Sequence, residues 1–113
     1  MAKARKTTKM TLSSEAWFVP DWPLPAGVHC LVTTRQGGAS RGVYSSLNLG
    51  NHVGDDALAV AANRAKLCAE TGVQPVWLNQ VHGTRAVDAA HFIAAEQSPE
   101  ADAAFSHQAG VAC

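Results

Sequence analysis

Thr33-Thr-Arg-Gln-Gly-Gly-Ala-Ser-Arg-Gly-Val-Tyr-Ser-Ser-Leu-Asn-Leu-Gly-Asn-His-Val-Gly-Asp-Asp56 is the stretch on which the fold of this chain turns. It holds five of the nine glycines, two arginines (Arg35 and Arg41) and a run of small hydroxyl side chains. Glycine lets a backbone bend or be approached closely, because it has no Cβ to clash. Arginine and serine interleaved with glycine also offer N–H groups and a cationic fork to an anion. No Gly-Lys-Ser/Thr occurs, and the glycine spacing fits no dinucleotide fingerprint. On residues alone the stretch reads first as structural turns, with a phosphate cradle as the alternative.

Upstream, Val28 to Thr34 is a β-rich run that ends at Arg35. Trp17 to Pro25 carries three prolines in six residues, which predicts an irregular extended segment with Trp17, Phe18 and Trp22 packed down as a hydrophobic clamp. Residues 1–14 are basic and read as a flexible solvated tail.

Downstream, Tyr44 to Leu49 predicts a short strand or turn. Asp55 or Asp56 then caps a helix running to about Glu70, with Gly72 just past its end. Leu58, Ala61, Ala62, Ala65 and Ala69 recur at helical spacing as its expected apolar face, and Cys68 beside them reads as a small buried hydrophobe. Val76 to Val81 predicts a second strand entering His82-Gly83, and Arg85 to Ala89 a third. Ala90 to Gln97 is open between helix and loop, and Ala101 to Ser106 predicts another short strand. A last apolar run begins at Gly110.

Bulk properties narrow the classes. The chain has 113 residues, 47% hydrophobic and 16% charged, which describes one small globular domain. Net charge is zero, which argues against a nucleic-acid partner. No apolar run approaches the roughly 20 residues of a membrane span, and no h-region follows the basic start. Three cysteines without a CxxC pair argue against a disulfide framework, so a cytoplasmic location is expected.

His82 is the residue that invites chemistry. It is expected at a strand end, where a rigid element can hold a side chain in a cleft. A hydrogen-bonded structural histidine is the competing reading. His29, His52, His91 and His107 show no HxH or HExxH spacing with it, and no nucleophile elbow occurs.

Taken in order, Thr33-Thr-Arg-Gln-Gly-Gly-Ala-Ser, Tyr44-Ser-Ser-Leu-Asn-Leu-Gly, His52-Val-Gly-Asp-Asp, Asn63-Arg64, Trp77-Leu-Asn-Gln-Val-His-Gly and Ala101-Asp-Ala resemble the YfiH-type family. That family was first called multicopper polyphenol oxidoreductase (laccase domain) and later purine nucleoside phosphorylase. The resemblance implies an α+β fold of mixed sheets flanked by helices, a layered sandwich of which residues 15–113 form the N-terminal part. It implies a cytoplasmic zinc enzyme that cleaves adenosine, inosine, guanosine and methylthioadenosine with phosphate and deaminates adenosine.

In that family the metal is held by the histidine of Gln-Val-His-Gly, a cysteine of Ala-Asp-Cys and a histidine of His-Ala-Gly-Trp. Only the first is present, as His82, which is thus the expected catalytic residue and metal ligand. Gly110-Val-Ala-Cys113 resembles the stretch just before the Ala-Asp-Cys motif, so Cys113 is not expected to be the zinc cysteine. The chain by itself is therefore expected to be inactive. Arg35 is the natural phosphate ligand, while Asn48 and Gln80 are expected to hydrogen-bond the nucleoside. Two alternatives belong to other classes: a copper-dependent phenol oxidase, and a non-catalytic phosphate-binding module.

Overall fold

A computed structural model describes residues 15–113, and the proposed basic tail of residues 1–14 lies outside that range. The fold is α+β. Two units follow one another, the first ending at Thr71 and the second spanning Gly72–Cys113.

In the first unit, β1 (Trp17–Phe18) pairs antiparallel with β2 (Val32–Thr33), Trp17 opposite Thr33 and Phe18 opposite Val32. Thr34 N–H extends the ladder by donating to Ala16 O at 2.7 Å. The strand expected over Val28 to Thr34 is thus reduced to its last third, because the turn closed by Val28 N–H on Pro25 O occupies its start. The aromatic clamp is also corrected. Trp17 is 2% exposed, but Phe18 and Trp22 are 54% and 60% exposed. Alternation along a strand sends Phe18 away from the face that buries Trp17.

Within the loop, a 3-10 turn at Gly42–Tyr44 leads into further turn, so Tyr44 to Leu49 takes the turn and not the strand of its two expected forms. Helix α1 spans Ala57–Thr71. Asp56 caps it: its carboxylate accepts from Leu58 N–H at 3.0 Å, and its carbonyl accepts from Val60 N–H at 3.1 Å. Gly72 follows at φ +72°, the left-handed C-terminal position glycine favours.

The buried stripe of α1 is Val60, Asn63 and Leu67, not the leucine–alanine stripe; Leu58 is 80% exposed. Ala61, Ala62, Ala65 and Ala69 are exposed as well, and Cys68 is half-buried. The helix is turned so because the polar loop beneath it needs a hydrogen-bonding side chain, which alanine lacks. Leu47 and Ser40 of the loop complete this core.

Gly38 shows how tightly loop and helix fit. A Cβ there would stand 2.2 Å from Ser46 O, 2.5 Å from Leu47 Cα and 2.6 Å from Asn63 Oδ1. Two of those three atoms are backbone and cannot rotate away. Gly38→Ala is therefore expected to destabilise by about 3 kcal/mol or more, read as a lowered urea midpoint. An unchanged midpoint would show that the two arms of the loop part freely.

In the second unit, β3 (Ala86–Asp88) runs parallel to β4 (Ala103–Phe105), and residues 89–102 make the crossover, starting with a 3-10 turn at Ala89–Phe92. The strand expected over Val76 to Val81 is not a regular one. It is an extended segment tied by single parallel bridges, Pro75 to Ala112 and Asn79 to Glu100. Val87, Ala89 and Ala101 form the small core. Among the described residues, no helix is long and apolar enough to cross a membrane.

Candidate functional site

Arg35 stands two residues past the end of β2, separated from Thr33 by Thr34 alone. Its carbonyl accepts from Ser46 N–H at 2.6 Å and Leu47 N–H at 2.8 Å, and its own Nε donates to Ser45 O at 2.8 Å. The loop thus folds back on Arg35 from both sides. Nε is engaged, but Nη1 and Nη2 have no partner among the described residues, and the side chain is exposed. A depression of about 530 Å³ opens here, lined by Thr33, Thr34, Arg35, Tyr44 and Asn48 with apolar walls from Val43, Leu49 and Val53. Tyr44 Oη donates to Val53 O at 2.5 Å, closing one rim.

Asn48 lines the same depression, but its amide is largely engaged within the loop. Nδ2 donates to Gly50 O at 3.3 Å and to Asp55 Oδ2 at 3.1 Å, while Oδ1 accepts from Gly50 N–H at 3.1 Å. One lone pair of Oδ1 remains for a ligand.

Asp55 takes the part left open when Asp56 became the helix cap. Its carboxylate accepts from Ser40 Oγ at 2.6 Å, from Asn48 and from Asp56 N–H at 2.8 Å. The Ser40 hydroxyl, then the Asn48 amide and the Asp56 N–H, hold its carboxyl below the ordinary carboxylate value, against the opposing effect of burial. A folded-state pKa below the unfolded one means stability is present above the unfolded value and lost as pH falls through the folded one. Asp55→Asn is thus expected to flatten the decline of thermal stability below about pH 4. Melting curves of both proteins across that range make the test, and parallel acid limbs would refute the role.

In the second unit, Gln80 and His82 are both exposed, and the Gln80 side chain makes no hydrogen bond among the described residues. His82 stands in the left-handed region at φ 57°. The cause is Asp102, whose carboxylate accepts three consecutive backbone N–H groups: Val81 at 3.1 Å, His82 at 2.8 Å and Gly83 at 2.7 Å. Successive N–H groups turned to one point form an anion nest, here filled by the chain's own carboxylate. The Gly83 N–H above all, then those of His82 and Val81 and the charge of the imidazole, keep Asp102 ionised below its ordinary pKa, while burial opposes them.

Arg35 and Asn48 thus meet in the first unit, and Gln80 and His82 lie close in sequence in the second. Among the described residues, no three His, Cys, Asp or Glu side chains are grouped to hold a metal. A catalytic zinc takes three protein ligands, so the residues present do not by themselves fit one. Sequence reasoning gave Asn63, Asp55 and Asp102 no role in the site. An asparagine inside an alanine-rich helix, where its propensity is poor, was the available signal for the first.

Residues 29–113 match the family described as multi-copper polyphenol oxidoreductase laccase. The chain belongs to this family. Similar members include a Pseudomonas aeruginosa protein named purine nucleoside phosphorylase, 48% identical over 98 residues, covering 87% of this chain and 39% of that protein. The Escherichia coli purine nucleoside phosphorylase YfiH is 43% identical over 98 residues, covering 85% of this chain and 40% of its own length. Among solved structures, a Neisseria meningitidis protein assigned to DUF152 superposes with a TM-score of 0.78 at 44% identity, over 85% of this chain and 39% of that one. YlmD from Geobacillus stearothermophilus gives 0.71 at 32% identity, over 88% and 41%. The chain spans about two-fifths of the length of these laccase-family relatives.

Proposed function

We propose that this chain supplies the phosphate-binding loop and one metal ligand of a purine nucleoside phosphorylase. The observation that carries this is Arg35: it lines the depression with an Nη edge that has no partner among the described residues, in a chain whose relatives bear that name. A guanidinium edge matches two phosphate oxygens, and the Nε bond to Ser45 O fixes the direction in which it points.

In this reading Arg35 binds phosphate, and the free lone pair of Asn48 Oδ1 and the amide of Gln80 hydrogen-bond the nucleoside. His82 is the catalytic and metal-binding imidazole. The substrates are adenosine, inosine, guanosine and methylthioadenosine, with adenosine deamination as a second activity, in the cytoplasm. Phosphorolysis breaks the bond between the base and the ribose anomeric carbon and joins a phosphate oxygen to that carbon.

The test is to incubate a protein of the relatives' length with inosine and inorganic phosphate. Phosphate-dependent release of free base and ribose 1-phosphate is expected. Base release at the same rate without phosphate would overturn the reading. The laccase description of the family favours a second one, copper-dependent oxidation of phenols. Stoichiometric copper together with phenol oxidation would decide for it. The 113-residue chain alone is expected to bind zinc weakly or not at all, since among the described residues no three His, Cys, Asp or Glu side chains are grouped around His82 or elsewhere. Tight one-to-one zinc after chelator washing would refute that, and would direct attention to His29, His52, His107 and Cys113.

A further inference from the structure

We infer that Asn63 is the positioning residue of the anion site: through one buried amide it sets where Arg35 and Asn48 stand. The inference rests on the phosphate role of Arg35 proposed above. Asn63 is 1% exposed on α1, and every polar atom of its side chain is directed at the loop. Oδ1 accepts from Ala39 N–H at 2.7 Å. Nδ2 faces Ser40 Oγ at 2.9 Å, Ser46 O at 3.2 Å and Asn48 O at 2.8 Å.

The two arms of the loop, 39–40 and 46–48, are thus clamped by one group on a rigid helix. Arg35 hangs on the second arm, since its carbonyl holds Ser46 and Leu47 N–H and its Nε holds Ser45 O. Asn48 belongs to that arm itself. Ser40, held by Asn63 at Oγ, passes the constraint to Asp55, which in turn orients the Asn48 amide.

The chemistry at position 63 is narrow. The site needs an acceptor for one N–H and donors for two carbonyls and a hydroxyl. Aspartate would set a carboxylate against Ser46 O and Asn48 O, and leucine of similar size would satisfy none of them.

The test uses the relatives'-length enzyme with Asn63→Ser, which puts a shorter hydroxyl in place of the amide, Asn63→Ala, and Val60→Ala as a control equally buried on the same helix. The readout is KM for inorganic phosphate in phosphorolysis, set beside the thermal stabilisation that phosphate confers. Both Asn63 variants are expected to raise the phosphate KM by about tenfold to a hundredfold, as loss of about an ångström of positioning does. They should also lose the phosphate-induced rise in melting temperature. Val60→Ala should lower melting temperature while leaving the phosphate KM unchanged.

If Asn63→Ala does not fold, Asn63→Ser carries the comparison. An unchanged phosphate KM in Asn63→Ser, or an equal change in Val60→Ala, overturns the inference. Failure of the underlying reading looks different, because then Arg35→Lys also leaves the phosphate KM where it was.

Discussion

In an enzyme of the relatives' length, His82→Ala is expected to remove bound metal and abolish turnover, while Cys68→Ala keeps turnover within about twofold. The two substitutions differ in what they take from the fold. The His82 side chain is exposed, and Asp102 binds the backbone N–H groups of its turn and not the ring. Removing the imidazole therefore leaves that turn's hydrogen bonds in place. The residue does sit at φ 57°, where alanine is strained by about 1 kcal/mol. Asparagine tolerates that region, so His82→Asn separates backbone strain from loss of the imidazole. Both His82 variants should be folded and inactive.

Cys68 is half-buried on α1, and its loss costs packing alone, about 1 kcal/mol. The checks are metal content, circular dichroism and phosphorolysis of adenosine on the same preparations. A folded but inactive Cys68→Ala would contradict the assignment, and so would His82→Asn with full metal and turnover.

What could be read from the sequence was what is local in it. The α1 caps are encoded within a few residues: the Asp56 carboxylate accepts from the N–H two positions on, and Gly72 needs only its own φ. The glycine loop announced itself by composition, and of its two readings, scaffold and anion site, the hydrogen bonds show the scaffold. Arg35 pins the loop with Nε, and its Nη atoms have no partner among the described residues.

What could not be read depends on partners far along the chain. Asp102 reaches across some twenty positions to organise the turn of His82, and no periodicity reports a carboxylate filling a nest of N–H groups. Asn63 reaches from α1 to Ala39, and it displaced the alanine stripe as the buried face because unpaired loop N–H and C=O groups cost more than exposed methyls. The β3–β4 pairing was hidden for the same reason. Parallel strands are joined by a crossover, so neither short run shows its partner nearby.

The phosphate role proposed for Arg35 carries the second large effect. Arg35→Lys keeps the charge, but an ammonium can neither present two parallel N–H groups to phosphate nor hold Ser45 O while doing so. The expected result is a rise of tenfold or more in the phosphate KM of phosphorolysis, about 1.4 kcal/mol of binding. Deamination of adenosine, which consumes water and not phosphate, should be spared. On the proposed reading both reactions would take the nucleoside and only phosphorolysis the anion, so their ratio isolates what Arg35 does. Stability responds separately. The lost Nε bond ends on an exposed carbonyl that water can solvate, so the melting temperature should fall only slightly, by the equivalent of at most about 1 kcal/mol. Arg35→Gln, which can still donate to Ser45 O but has no charge, should keep the melting temperature and lose the phosphate dependence more completely. If Arg35→Lys instead lowers both activities equally and stability with them, the loop is scaffold. The Nη edge would then face the solvent to no catalytic end.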